Sequence, residues 1–532
     1  MAGMRNGMMT GTPANTRIAR AAGTVMAAFI VSNLVGLLAK TMTARVFGTG
    51  LESNAFFAAN RFSEILFNLV AGGALGSAFI PVFAGLLAKD EREQAWRLAS
   101  AIANLVTLVL LLASLLALVF SRQIVQTILA PGFTLEETLL TARLLRIQVL
   151  SSVIFGLSGL VMGILNSHQH FLLPAIGPAF YQLGWILGIL LLAPSMGIDG
   201  LAWGVVLGSA LHLLVKLPIL LRLPKRAYWP SLGLRMPEVR EVARLMAPRL
   251  LGVAVIQLNF LLNTFLASYQ PEGSITALSL AFPLMIMPEA AIAQSIAIAA
   301  LPTFAAQVAR GEIAEMRASL SGTLRVALML SVPAAVGLVL LREPLVALLY
   351  QGREFTAEST VLVSWALLWY AVGLVGHSIV EITSRAFYAL HDTKTPVVVG
   401  VATMTLNLAL SFLFSYLFTL VGWMPHGGLA LANSAATALE SVVLLVLMRK
   451  RLAGLYGSKI LLSLARACVA ASGMGLVIWL LQTRFSIPST AMKLGLVTAA
   501  GMAVYGLLLF IQRAEELTRI AALFRTRFGG AK

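Results

Sequence analysis

The sequence predicts an all-α polytopic membrane protein of about fourteen transmembrane helices, built as two parallel-repeat six-helix lobes plus a C-terminal helix pair. Three observations lead there. Of 532 residues, 59% are hydrophobic and 11% charged, and the mean hydropathy is +0.88, so the chain carries more apolar surface than a water-soluble core can absorb. The apolar residues fall into runs of about 20, the length of helix that crosses a hydrocarbon core. Short sequences also recur at matching places in the two halves.

Taken in order, the runs place spans near 20–41, 62–87, 98–120, 146–165, 172–193, 199–221, 246–267, 278–304, 323–341, 361–388, 396–421, 428–448, 460–481 and 493–512. The first, "AAGTVMAAFIVSNLVGLLAKTM", follows Arg17 and Arg20 and is longer than a signal-peptide core, so it is read as a retained span. An even count puts both termini on one side. That side carries about 25 Lys and Arg, among them Lys89, Arg92, Arg97, Arg235, Arg240, Arg244 and Arg449 to Arg451, against about 9 opposite. Both termini are therefore expected in the cytoplasm, in a bacterial cytoplasmic membrane.

The net charge of +17 suits loops that meet anionic lipid, and no nucleic-acid partner is expected. Cys468 is the only cysteine, which excludes an intrachain disulfide and a cysteine metal site. Domain boundaries follow from the spans: a tail at 1–19, a lobe at 20–221, a basic linker at 222–245, a second lobe at 246–448, a helix pair at 449–512 and a basic tail at 513–532.

The lobes repeat. "IPVFAGLLAKDE" at 80–91 returns as "LPTFAAQVARGE" at 301–312, and "RQIVQTILAPGFT" at 122–134 as "REPLVALLYQGREFT" at 342–356. "GILNSHQHFLLP" at 163–174 matches "YALHDTKTPV" at 388–397. Each lobe passes an even number of spans, so the repeats are related by an axis along the membrane normal, as in transporters that rock around a central cavity. The polar islands in the last pair of repeats are first of all tight connections, with Asp392 placed to cap the next helix and Pro396 in its first turn. The same residues, Asn166, His168, Arg385, Asp392 and Lys394, are candidates for a cytoplasmic gate.

"ARVFGTGLESNAFFAANRFSEILFNLVAGGALGSAFIPVFA", "APGF" at 130–133, "LYQGREFT" at 349–356 and "RAFYALHDTKTPV" resemble the MviN/MurJ family of lipid II flippases, within the multidrug/oligosaccharidyl-lipid/polysaccharide exporter superfamily. The resemblance spans about residues 20 to 512. It implies two six-helix lobes around a cavity, a final helix pair forming a groove for a lipid tail, and cytoplasm-to-outside transfer of undecaprenyl-pyrophosphate-linked peptidoglycan precursor without ATP hydrolysis. Implied partners are that precursor, membrane lipids and proteins of cell-wall synthesis. No cofactor is expected; coupling to a monovalent cation or to the membrane potential is.

The departures concern charge. Where the family has Ser-Arg in the first span this chain has Ser32-Asn33, and its next arginine and Asp fall at Ala39-Lys40. The Asp before Ala-Phe-Phe is Asn54, the second-span arginine pair is Phe67-Asn68, and the Glu-Gly after it is Gly72-Gly73. In the eighth span the expected Asp-Arg is Phe282-Pro283. Those arginines would bind the pyrophosphate, because a fork of donors matches phosphate oxygens and a buried anion requires a counter-charge. Lys40 is a stand-in shifted by one residue, about 100° around the helix.

Ionisable and amide side chains inside spans are candidates by default. Besides Lys40 and Asn33, the substrate-cavity candidates are Glu289, expected in a helix broken by Pro283 and Pro288; Asn259 and Asn263, on one face of the seventh span; and Arg249, at its cytoplasmic mouth. His377, Glu381 and Arg385 form one stripe, and Arg61 with Glu64 is expected to anchor the second span at the outer interface. GxxxG spacings at Gly72/Gly76, Gly159/Gly163, Gly184/Gly188 and Gly204/Gly208 suit close helix packing. The chain has no phosphate loop or paired-His zinc motif, and no enzyme activity is expected; His168 and His170 lack a third metal ligand. Besides the flippase, the residues allow a superfamily transporter with a changed cargo, another polyprenyl-linked glycan or a cationic amphiphile, and a non-transporting scaffold of the cell-wall machinery.

Overall fold

A computed structural model describes residues 13–70, 73–224, 226–484 and 489–514. Most of the two expected tails, with Gly72 and Lys225, lies outside the described residues. Helices account for nearly all of them, and no strand is present among them. Among the described residues, eleven helices are long and apolar enough to cross a membrane. Two bent pairs raise the number to 13: Pro237–Leu250 with Gly252–Ala267, at 42°, and Ala357–Val372 with Leu374–Ala389, at 45°. The remaining expected span, near 62–87, corresponds to Leu51–Val70 and Gly73–Ala88. Only Leu75–Ala88 within it is strongly apolar, and it is too short to cross alone. Its first half is polar because it carries Asn60, Arg61 and Glu64.

The repeats share backbone geometry as well as sequence. After Gly73–Ala88, Asp90 sits at φ 59° while Glu91 N–H donates to Leu86 O at 3.0 Å. After Ser295–Ala309, Gly311 sits at φ 73° and Glu312 N–H donates to Gln307 O at 2.9 Å. The second pair agrees: Gln169 at φ 61° precedes the bond from His170 N–H to Leu165 O at 2.9 Å, and His391 at φ 59° the bond from Asp392 N–H to Phe387 O at 3.0 Å. All four are helix ends closed by one left-handed residue and a 6→1 hydrogen bond. The turns therefore stop the helices by one device in both halves.

The residues form two compact units: Met1–Thr43, Ala58–Thr127 and Leu135–Ala254 in the first, and Ala44–Phe57, Ile128–Thr134 and Val255–Lys532 in the second. In the first, Leu75, Phe79, Phe83, Trp96, Leu160 and Ile164 form a buried core between Gly73–Ala88, Arg92–Val119 and Leu135–Ser167. The spans Leu172–Met196 and Ile198–Arg222 meet through glycine: a Cβ added at Gly184 would fall 2.0 Å from Gly208 Cα, and one at Gly188 would fall 2.5 Å from Gly204 Cα. Backbones this close need residues without side chains. The basic segment after the sixth span is not a free linker. Asn104 Nδ2 donates to the carbonyls of Trp229 (3.0 Å) and Ser231 (2.8 Å), and the Arg97 guanidinium lies 5.4 Å from the Trp229 ring centre.

In the second unit, Phe304, Met316, Leu320, Phe387, Met448 and Leu452 form one core. The helix pair Gly457–Arg484 and Thr490–Ile511 packs on Ile313–Tyr350 through Met329, Ala467, Ala470 and Met474, with the Tyr505 hydroxyl donating to Met329 O at 2.7 Å. Two segments from the N-terminal half, Ala44–Phe57 and Ile128–Thr134, belong to this unit. Gly48, at φ +62°, is so close to Glu354 that an added Cβ would stand 2.6 Å from its carbonyl oxygen. Arg45 Nη2 donates to Leu348 O at 3.0 Å, and Thr49 and Ser359 hydroxyls meet at 2.8 Å. Gly132 N–H donates to Ser268 Oγ at 3.1 Å.

Asn54 completes that arrangement and explains one departure from the family pattern. Its Oδ1 accepts from the Thr276 backbone N–H at 3.1 Å and hydroxyl at 2.9 Å. Both bonds need an acceptor oxygen, which Asn and Asp both offer. Asn54→Asp should keep wild-type thermal stability in detergent, whereas Asn54→Leu, which strands both buried Thr276 donors, should lose about 1–3 kcal/mol. Equal melting temperatures for the two variants would contradict this account.

Candidate functional site: charged clusters in the two helical units

The first unit gathers the cations that the motif pattern lacks. Arg61 Nη1 pairs with Glu64 Oε2 at 2.7 Å across one turn of Leu51–Val70, and Asn60 Nδ2 donates to Glu64 Oε1 at 2.8 Å. Lys40, half-buried on the first span, lies within electrostatic range of both Glu64 and Arg61. Tyr181 on the fifth span also lies in range of Glu64, and its neighbour Gln182 approaches Gly36. Two cations and one carboxylate give the group a net charge of +1. Arg61 and Glu64 therefore belong to a polar cluster with Asn60, within electrostatic range of Lys40. The i,i+3 and i,i+4 spacing of Asn60, Arg61 and Glu64 was the available signal, obscured because the polar half of the helix fell outside the apolar window. Asn33 is exposed, while Ser32 bonds its own helix at Ala28 O, 2.9 Å, and Ala175 O at 3.4 Å.

In the second unit one small group has more carboxylates than cations. Glu289 is 8% exposed, and its charged neighbour is Glu381, which pairs with Arg385 at 2.7 Å. The expected break at Pro283 and Pro288 is absent: helix runs through both prolines across Ser274–Ala309, and a single π-helical turn, Ala290–Gln294, follows Glu289. A π turn accommodates an extra residue without ending the helix, and such turns concentrate at functional positions. With Glu289, Glu381 and Arg385 ionised, the group has a net charge of −1.

The other candidates are distributed. Asn259 Oδ1 accepts from Asn407 Nδ2 at 3.1 Å, and its own Nδ2 donates to Met404 O at 3.3 Å, joining the seventh and eleventh spans. Asn263, a turn later, is half-buried, and Arg249 is exposed. His377 Nε2 lies 3.3 Å from Asn433 Oδ1. In the turns, His168 Nδ1 is 3.0 Å from Ile164 O and Asn166 is half-buried. Arg385 also covers the Tyr388 ring at 5.7 Å, and Lys394 is exposed. Asp392 caps the next helix, accepting from Thr395 N–H at 3.0 Å and its hydroxyl at 2.7 Å. The bonds from Thr395 hold the Asp392 carboxyl below the usual carboxylate range. The cap's contribution is thus complete above that range and fades as pH falls through the lowered folded value. Sequence reasoning missed a further group, Lys216 with His212 and Ser158, entirely buried in the first unit.

A bundle of membrane-spanning helices in two repeated halves, with charged side chains held inside the spans, defines a polytopic transporter fold. Solved structures share it. One titled "Lipid II flippase MurJ, inward closed conformation" aligns with a TM-score of 0.79 at 24% identity, over 92% of this chain and 98% of that one. An inward-facing multidrug resistance MATE family transporter aligns with a TM-score of 0.67 at 17% identity, over 79% and 94%. The family model described as lipid II flippase MurJ matches residues 43–497. The lipid II flippase MurJ of Burkholderia cenocepacia is 30% identical over 444 residues, covering 82% of this chain and 84% of that protein. A probable lipid II flippase MurJ of Rhizobium tropici is 29% identical over 508 residues, 92% and 93% of the two. The chain belongs to the lipid II flippase MurJ family.

Proposed function

We propose that the protein transfers undecaprenyl-pyrophosphate-linked peptidoglycan precursor, lipid II, from the cytoplasmic to the outer leaflet by alternating access of its two lobes, catalysing no reaction. Family membership supports this reading. The observation that supports it for this chain is the group of Lys40, Arg61 and Glu64, whose two cations to one carboxylate suit an anionic pyrophosphate. The test is rescue of a bacterium depleted of its flippase, with surface labelling of lipid II as the readout. Growth without surface lipid II, or no rescue at normal membrane abundance, overturns the reading. A second reading, a cationic amphiphile as cargo, is favoured by one observation: Glu289 beside Glu381.

The proposed orientation, termini in the cytoplasm of a bacterial inner membrane, has its own test. In a Cys468→Ser background, cysteines at Ser231 and Ser458 should resist an impermeant thiol reagent in intact cells, while cysteines at Ser195 and Val421 should react. All four positions are exposed. Gly427 is unsuitable, because a Cβ there would lie 2.3 Å from Trp365 Nε1. The opposite labelling pattern would invert the topology.

A further inference from the structure

Lys216 is 0% exposed, inside the span Ile198–Arg222. Its Nζ donates to Ser158 O at 3.0 Å and stands 3.3 Å from His212 Nδ1. His212 is itself 5% exposed, its ring 5.3 Å from that of Phe155 and pressed against Gly177, where an added Cβ would be 2.9 Å from Cδ2 and Nε2. Among the described residues no ion pair reaches Lys216: Leu213, Ile219 and Leu220 beside it pack on the core of Gly73–Ala88, Arg92–Val119 and Pro237–Ala267, whose charged groups there are exposed (Glu93, Arg97, Arg240, Glu241) or half-buried (Arg92, Glu238). The fourth span has no ionisable side chain from 147 to 167, and Tyr181 is the only titratable group on the fifth. On the sixth, Asp199 lies more than about four turns away along the helix, paired with Arg143 at 3.1 Å. Arg222, less than about two turns on, is exposed. An ammonium here has no carboxylate partner among the described residues, and the amine is closed off from the surface at 0% exposure.

Every partner is a neutral group that can serve either state. When the amine is protonated, Nζ donates to Ser158 O and to His212 Nδ1, and the Ser158 hydroxyl can turn to His212 O at 3.2 Å. When it is not, an amine hydrogen still reaches Ser158 O, and the Ser158 hydroxyl can turn to His212 Nδ1 at 2.8 Å. The hydroxyl is a rotor with two acceptors, so the site keeps its hydrogen bonds in both states.

We propose that Lys216, with His212 and Ser158, is a proton-binding site through which this unit couples helix packing to a proton gradient. The bound species is one proton, carried on Nζ and shared toward His212 Nδ1; no other bond is made or broken. Because charge at Nζ is stabilised differently when the fourth, fifth and sixth spans close around it and when they admit water, proton occupancy and packing bias each other. The coupling role rests on the transport reading; the linkage to packing does not.

The full chain in nanodiscs, without substrate, tests the linkage by hydrogen–deuterium exchange at pH 6 and pH 9, corrected for the intrinsic rate. The corrected exchange of 151–167 and 198–222 should differ between the two pH values in the wild type and lose that difference in Lys216→Met. Lys216→Met that keeps the wild-type difference, or a wild type with none, overturns the site. If Lys216→Met does not fold, His212→Phe, which removes the Nδ1 partner, should alter the difference; an unchanged one overturns the proposal. In proteoliposomes loaded with lipid II, an imposed pH gradient should change the wild-type transfer rate and leave Lys216→Met unaffected. Absence of wild-type transfer with the exchange difference intact refutes the transport reading alone. Transfer that ignores the gradient refutes the coupling.

Discussion

Lys40→Ala is expected to cut lipid II transfer by more than about a hundredfold at normal membrane abundance. A pyrophosphate withdrawn from water needs cations in place, and removing one partner of a buried ion pair costs about 3–5 kcal/mol, most of it the uncompensated charge left behind. The group around Glu64 has Lys40 and Arg61 to offer, and Glu64 already neutralises much of Arg61 at 2.7 Å. Lys40 is therefore the cation whose charge is most available to a ligand. Glu289→Gln, which removes a carboxylate from the second unit, should leave lipid II transfer unchanged or mildly raised. A cationic cargo reverses the order, with Glu289→Gln the damaging change and Lys40→Ala tolerated. Rescue of flippase-depleted cells and surface lipid II should be scored beside immunoblots of the membrane fraction. If both variants are abundant and neither alters transport, both cargo chemistries fail and a scaffold role gains ground.

The second large effect is on folding. Gly184→Ala should destabilise the protein by about 1–3 kcal/mol or more, because the obstacle to the new methyl is backbone and cannot rotate aside. Its Cβ would stand 2.0 Å from Gly208 Cα, 2.2 Å from Gly208 N and 2.9 Å from Gly204 O. Gly506→Ala is the matched control: it also lies within a membrane helix, Thr490–Ile511, and nothing stands within 4 Å of its added Cβ. It should melt at or slightly above the wild-type temperature, since alanine is the better helix former. Thermal unfolding in detergent, followed by size-exclusion recovery, separates the two. A Gly184→Ala protein as stable as the Gly506→Ala control would mean that the fifth and sixth spans do not approach as closely as described.

The spans were legible because lipid imposes a length and a composition on any helix that crosses it, and the repeats because equivalent turns kept equivalent residues. Gln169 and His391 are unlike, yet both take the left-handed conformation at the same place in their turns. Sequence similarity pointed to the pair, and backbone geometry explains it. The half-polar helix Leu51–Val70 was less legible, since a hydropathy window averages Asn60, Arg61 and Glu64 away. The continuity of Ser274–Ala309 was hidden as well: two prolines read as a break, but a long helix packed on its neighbours can lose individual hydrogen bonds and continue. Lys216 escaped notice for another reason. Four residues after His212 and six before Arg222, it reads as an ordinary basic residue near a helix end, and only tertiary packing places it at zero exposure.

The segments 44–57 and 128–134 bear on how such a chain could have arisen and how it can be taken apart. A gene that doubles an ancestral six-helix segment would be expected to encode two self-sufficient products, separable at the join. Here the second product is not self-sufficient, because Asn54 and Gly132 are encoded in the first copy yet hydrogen-bond to Thr276 and Ser268. Severing the polypeptide anywhere in the basic segment leaves the C-terminal fragment without two of its own parts. Supplied alone, that fragment exposes the Thr276 and Ser268 sites; supplied with its N-terminal mate, it regains them by fragment complementation.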